Sequence, residues 1–204
     1  MKPEILDALK KMEKYGYHTH VFPTGAEMRD FVMSSIPETA SVGFGGSMTV
    51  TGDLLLYDLM KERGNTCFYH GRVEPEEAAA TRKKAMLADY YLTSSNAVTY
   101  DGKLLNIDGV GNRVGALCCG PDIVYILVGV NKFAPDDEAA MKRCKEVACV
   151  KNGVRLDTGT PCAARGKCAD CNSPNRMCRA VLWLERVPRD REFHICVADE
   201  NLGY

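Results

Sequence analysis

Four cysteines, Cys162, Cys168, Cys171 and Cys178, fall in one seventeen-residue window with the spacing C-x5-C-x2-C-x6-C. Their segment, PCAARGKCADCNSPNRMC, is rich in Gly, Pro, Asn and basic residues and has the composition of a loop. A loop lets several thiols converge on one point, as a tetrathiolate zinc site or an iron–sulfur cluster requires. The alternatives are disulfides, or free thiols packed as small hydrophobes. The segment MKPEILDALKKMEKYG is charged and amphipathic, unlike an apolar leader, so a cytoplasmic, reducing setting is expected and disulfides are disfavoured. A single Cys-x-x-Cys with two outlying cysteines tilts the expectation from zinc toward a four-iron four-sulfur cluster. Elsewhere, Cys67, Cys118 and Cys196 sit in apolar runs and are expected to be buried free thiols.

Three polar loops hold the remaining candidates. In Gly43-Phe-Gly45-Gly46-Ser47-Met-Thr49, glycines allow close backbone approach, and a following helix would aim N–H groups at a carboxylate or phosphate. An ordinary strand-to-helix turn explains the same residues. In Thr93-Ser94-Ser95-Asn96, hydroxyls and an amide suit a polar ligand or merely cap a turn. The third, Asn106-Ile-Asp108-Gly109-Val-Gly111-Asn112-Arg113, joins a carboxylate to a guanidinium. Asp108 is a candidate general base and Arg113 a candidate anion partner, unless the two pair with each other. Lys132 follows an apolar strand and either joins these loops or is a solvated lysine. His18, His20, His70 and His194 are scattered and read as structural or surface residues.

The elements that would position these loops alternate. Helices are expected at residues 4–14, after a capping box at Thr24 and Glu27, over 54–64, from Pro75 through Leu87, over 111–117 and over 136–148. Strands are expected at 17–22, 41–44, 66–69, 90–93, 123–130, 181–187 and 193–198. Asp101-Gly102 reads as the type I′ turn of a hairpin. Such alternation predicts an α/β chain with a Rossmann-like, mainly parallel sheet flanked by helices, plus the hairpin and the cysteine loop at about 160–180. Ligands of open α/β sheets gather outside the strands' carboxyl ends, where all three polar loops fall. A net charge of −1 gives no electrostatic case for nucleic acid, and no apolar run approaches the roughly 20 residues that span a bilayer.

GFGGSMT at 43–49, TSSNAVTYDGKLLNIDGVGNRV at 93–114, YILVGVNK at 125–132 and the terminal ENLGY resemble the LUD domain family, the lactate-utilisation group. The resemblance spans nearly the whole chain, so residues 1–204 are expected to form one LUD-like domain. It implies a fold similar to that of sugar-phosphate isomerases and CoA transferases. It also implies that Gly45, Gly46, Ser47, Ser95, Asn96, Gly109, Asn112 and Arg113 are cleft or fold-defining residues. CoA transferases of that fold use a glutamate nucleophile, and no glutamate lies between Ser95 and Asn112. Other members work beside iron–sulfur subunits in lactate oxidation, which implies redox partner proteins here. Three readings follow. The first is a redox-associated protein of lactate or 2-hydroxy-acid utilisation with a small anionic ligand. The second is an enzyme on a phosphorylated or CoA-linked molecule with structural zinc. The third is a non-catalytic ligand-binding or assembly subunit. A homo-oligomer is compatible with all three.

Overall fold

Strands and helices alternate along the chain, and parallel pairing then follows from the crossovers. The structure, a computed structural model, describes residues 1–204. In chain order the elements begin α1 (Pro3–Lys14), β1 (His18–Phe22), α2 (Gly25–Ser35), β2 (Ser41–Phe44), α3 (Leu56–Arg63) and β3 (Thr66–Phe68). Next come α4 (Ala78–Ala85), β4 (Tyr90–Thr93), β5 (Ala97–Thr99), β6 (Leu104–Asp108), α5 (Asn112–Cys119), β7 (Ile123–Gly129) and β8 (Phe133–Ala134). The chain closes with α6 (Asp137–Arg143), α7 (Cys149–Arg155), α8 (Pro161–Arg165), β9 (Ala180–Leu184) and β10 (Glu192–Ala198).

A six-stranded sheet in the order β1-β10-β7-β4-β2-β3 is parallel throughout. It is the mainly parallel, helix-flanked sheet expected from the sequence. Along β7, Val124, Ile126 and Val128 enter one core, with Ile5, Leu9 and Met12 of α1. Tyr125 and Leu127 enter the opposite core, with Met28 and Val32 of α2 and Met60 of α3. This period of two is why the run at 123–130 is apolar throughout: both of its faces are covered. Each such buried aliphatic side chain stabilises the fold by about 1.5–3 kcal/mol.

A second sheet, of four strands in the order β8-β5-β6-β9, was not expected. β6 pairs antiparallel with both β5 and β9, while β5 pairs parallel with β8. Its own core joins Ala97, Leu105 and Ile107 to Ala140 and Cys144.

Several local expectations need correction. In the β5–β6 hairpin only Gly102 has positive φ, at 86°, so the turn is not type I′. Gly102 N–H instead donates to Thr99 O, the pattern of a type I turn closed by a left-handed glycine. The helix expected from Pro75 starts at Ala78, because residues 74–77 form a separate turn. The helix expected to end at 148 continues through one π turn, Cys144–Ala148, into α7. Cys196 is buried, but Cys67 is only partly so and Cys118 is exposed, because α5 turns that residue outward.

Candidate functional site

The loops after β2 and β4 leave neighbouring strands at the carboxyl edge of the parallel sheet. Gly45 N–H donates to Leu92 O at 3.1 Å and holds them together there. The loop after β6 and the residue Lys132 beyond β7 close on the same point. The result is one pocket of about 340 Å³. Gly45, Gly46, Ser47, Thr49, Ser95, Asn96, Asp108, Gly109, Asn112, Arg113 and Lys132 all line it. Met48 of the same glycine loop also lines it, as does His70, which the sequence placed among structural or surface histidines; Cys149, Arg155, Met177 and Tyr204 line it too and were not singled out from the sequence.

The glycine turn is shaped by its neighbour His70. Gly46 has φ of 78°, and a Cβ there would sit 3.1 Å from His70 Cε1. Ser47 is not followed directly by a long helix. One π turn, Thr49–Asp53, comes first, and α3 starts only at Leu56. No long helix therefore aims its N-terminus at this turn. His70 is half-buried. Burial, then the Arg82 and Arg155 charges, hold it below the usual histidine range against the opposing pull of Asp108.

Asp108 and Arg113 do not face each other as a simple ion pair. The Arg113 guanidinium donates to Asn106 Oδ1 at 2.5 Å, Asn96 Oδ1 at 2.7 Å, Ile107 O at 2.8 Å and Ser94 O at 3.1 Å. It binds two of the pocket's loops to each other. Asp108 accepts from main-chain N–H groups: Arg113 at 2.9 Å, Val114 at 3.2 Å and Val110 at 3.3 Å. Burial pushes the Asp108 carboxyl up, but the Arg113 charge and these three donors outweigh it and leave it below the usual carboxylate range. Asp108 is thus a fixed anion that caps α5.

Lys132 is 4% exposed, so it is not a solvated lysine. Its ammonium donates to the main-chain oxygen of Tyr204. Burial, then the Arg143 and Arg113 charges, push it down to about 7. Arg155, at the end of α7, bonds Asn152 Oδ1 at 2.6 Å and reaches Met48 Sδ at 3.4 Å. No Asp or Glu carboxylate lies within 4.0 Å of the charged nitrogens of Arg113, Lys132 or Arg155. Asp108 is the only acidic residue in the lining.

The cysteine loop packs beside this pocket. Met177 lines the pocket, and Cys178 follows it. The four loop thiols are free and partly exposed. As donors they are the soft thiols that zinc and iron–sulfur clusters take. Their arrangement is open: no three His, Cys, Asp or Glu side chains of the chain converge as a metal would require. The Cys162 thiol meets the Thr160 hydroxyl at 3.3 Å, and Arg176 donates to the main-chain oxygens of Cys171 and Cys178. Holding a metal there requires the loop to draw inward.

Cys149 is a further thiol beneath that loop. Lys145, Asn152 and Gly153 flank it along one side of the helix. Lys145 Nζ reaches Asp170 at 3.3 Å, and Asn152 Nδ2 reaches Met177 Sδ at 3.9 Å. A Cβ on Gly153 would lie 3.5 Å from Ala163 Cβ. Burial first, then the nearby thiols of Cys178, Cys144, Cys168 and Cys162, push the Cys149 thiol up to about 12. The i, i+4 spacing of Lys145 and Cys149 carries a helical signal only because the helix runs on past Ala148, where it was expected to end.

A parallel α/β sheet with a pocket at its carboxyl edge and a thiol-rich loop beside it defines the class. The LUD domain family model matches residues 5–197, and the chain belongs to that family. The chain is similar in fold to a DUF162 family protein from Deinococcus radiodurans, known from a crystal structure at 1.70 Å resolution. The TM-score is 0.56 at 13% identity, over 95% of this chain and 96% of that one. No curated protein matches the chain. No helix is long and apolar enough to cross a membrane.

Proposed function

We propose that the pocket binds a small carboxylate of the 2-hydroxy- or 2-oxo-acid class, as in lactate utilisation. The cysteine loop in this reading holds an iron–sulfur cluster or zinc next to it. One observation carries the ligand reading: three cationic side chains line the pocket without an Asp or Glu partner, against the single acidic side chain of Asp108. Lys132 is buried, Arg113 half-buried and Arg155 exposed at the rim, and cations without carboxylate partners favour an anionic guest. The volume, about 340 Å³, is at the small end for ligand sites.

The roles divide by contact. Arg155 and Lys132 supply charge, and Ser47, Asn112 and the unpartnered Thr49 hydroxyl supply polar contacts. Arg113, Asn96 and Asp108 hold the loops in place. A cluster in the loop would supply an electron acceptor next to Met177, and zinc would supply rigidity alone. Calorimetry with lactate, pyruvate and inorganic phosphate tests the ligand reading. Protein purified without oxygen, examined for visible thiolate-to-iron absorption and for bound iron and zinc, tests the loop. Affinity for the organic acids is expected, and absence of binding by all three anions contradicts the reading.

A further inference from the structure

We propose that the carboxylate of a small acid sits over the Gly46–Ser47 turn between His70 and Arg155, and that its binding is coupled to uptake of one proton by His70. The inference rests on the reading of the pocket as a site for small carboxylates.

The turn is open to such a guest. The main-chain N–H of Gly45 is engaged by Leu92 O, but those of Gly46 and Ser47 meet no acceptor in the chain, and both residues line the pocket. Two side chains from distant elements reach this turn. A Cβ on Gly46 would lie 3.1 Å from His70 Cε1 and 3.4 Å from its Nε2. Arg155 Nη1 reaches the sulfur of Met48, the residue after Ser47, at 3.4 Å.

The His70 ring is fixed from behind and free in front. It opens the 3₁₀ turn His70–Arg72. Arg72 ties that turn to Asp58 on α3 at 3.2 Å and lays its guanidinium over Tyr57. Tyr69 packs edge-on against both Tyr57 and the His70 ring, with centroids 5.2 and 5.5 Å away. The histidine ring bonds of the chain join His20 to His194 and His194 to Glu192, so both His70 nitrogens lack a protein partner. A half-buried imidazole with free nitrogens, lining a polar pocket, is available to a guest.

The surrounding charges give the proton its direction. Arg82 of α4, Arg155 of α7 and Asp108 at the end of β6 reach the ring, while Arg72 of its own turn is taken up by Asp58. Burial and the two arginines disfavour the imidazolium more than Asp108 favours it. A carboxylate over the turn reverses that balance, because it offsets Arg155 and places an anion beside the ring. The imidazolium then gains a charge-assisted hydrogen bond. The proton comes from solvent to the ring nitrogen that carries none, and no bond of the guest breaks. By linkage the acid binds more tightly as pH falls toward the ring's own titration.

Lys132 lines the same pocket and titrates near pH 7, so affinity alone does not separate the two groups and the ring itself is the readout. The Cε1–H signals of the four histidines are followed by proton NMR on the full chain, from about pH 5 to 8, alone, with saturating lactate and with lactamide. With lactate the midpoint of one signal, the one missing in His70→Gln, should rise by about one unit, a roughly tenfold preference of the anion for the protonated ring. With lactamide it should stay in place. Lactate binding that leaves all four midpoints unmoved, or an equal rise with lactamide, overturns the proton coupling and leaves the anion site standing. Failure of both lactate and pyruvate to bind overturns both readings. His18, His20 and His194 lie on β1 and β10 and outside the pocket, so a single moving signal identifies His70 even where the variant does not fold.

Discussion

The main-chain N–H of Arg179 donates to the carbonyl oxygen of Asp108 at 3.0 Å. This bond starts the β6–β9 pairing, in which Asp108 stands opposite Ala180. It fixes the exit of the cysteine loop one residue after Cys178 and seats that exit on the pocket's wall. Any ligand that drew the four thiols together would therefore act directly on the segment that presents Asp108.

Metal content is the first consequence. Protein purified without oxygen should carry zinc or iron near one site per chain, and Cys168→Ser with Cys171→Ser should remove it. The same double variant should weaken binding of small acids, because Met177 and Asp108 share the loop's anchor. Unchanged metal content in the variant would sink the loop reading.

Arg113 is the second. Its guanidinium has four protein acceptors on β6 and the loop after β4. Arg113→Ala should therefore destabilise the fold, by about 3 kcal/mol, or roughly 6–12 °C in Tm. Arg113→Lys should rescue little, since one ammonium cannot span all four acceptors. A thermal melt that does not move with Arg113→Ala would return the arginine to direct ligand contact.

Lys132 gives a pH dependence with a definite sign. Its folded pKa is lowered to about 7, so between about pH 7 and 10 the unfolded chain binds more protons. Stability from this residue therefore rises with pH across that window. Lys132→Met removes the cost of burying the charge, so its advantage over the parent should be largest at or below pH 7 and shrink toward pH 10. Urea unfolding at several pH values checks this; a difference independent of pH would contradict the buried-amine account.

Asp108 has the opposite behaviour. Its folded pKa is depressed, so its stabilisation is present above the ordinary carboxylate range and is lost as pH falls through the folded value. Asp108→Asn should cost about 1.5–3 kcal/mol near neutrality, the range for hydrogen bonds to a charged group, and the cost should fade in acid. Equal stability of the two proteins at pH 7 would contradict this.

Much of this was legible in the sequence for physical reasons. The apolar run at 123–130 and the helix–strand alternation marked the parallel sheet, and the polar loops after the strands marked the pocket. The second sheet was missed because β5, of three residues, and β8, of two, are too short to show a period. His70 and Arg155 reach the pocket only through packing that no local spacing records. Arg113 looked like a ligand contact because its four acceptors are two Asn side chains and two main-chain oxygens, which carry no charge signature. The cysteines could be counted from the sequence, but Cys149 joined their neighbourhood only once α6, the π turn and α7 were seen to run on without a break.

The central claim is that cations of the pocket without an Asp or Glu partner select a small anion. Comparison of lactate with lactamide tests it most directly, because the two differ in charge and little else. Calorimetry on the parent protein and on Arg155→Ala should show lactate bound and lactamide not. The loss of Arg155 should weaken lactate by about 1.5–3 kcal/mol, the range for a hydrogen bond to a charged group. Equal affinity for lactate and lactamide, unaffected by Arg155→Ala, would contradict the account.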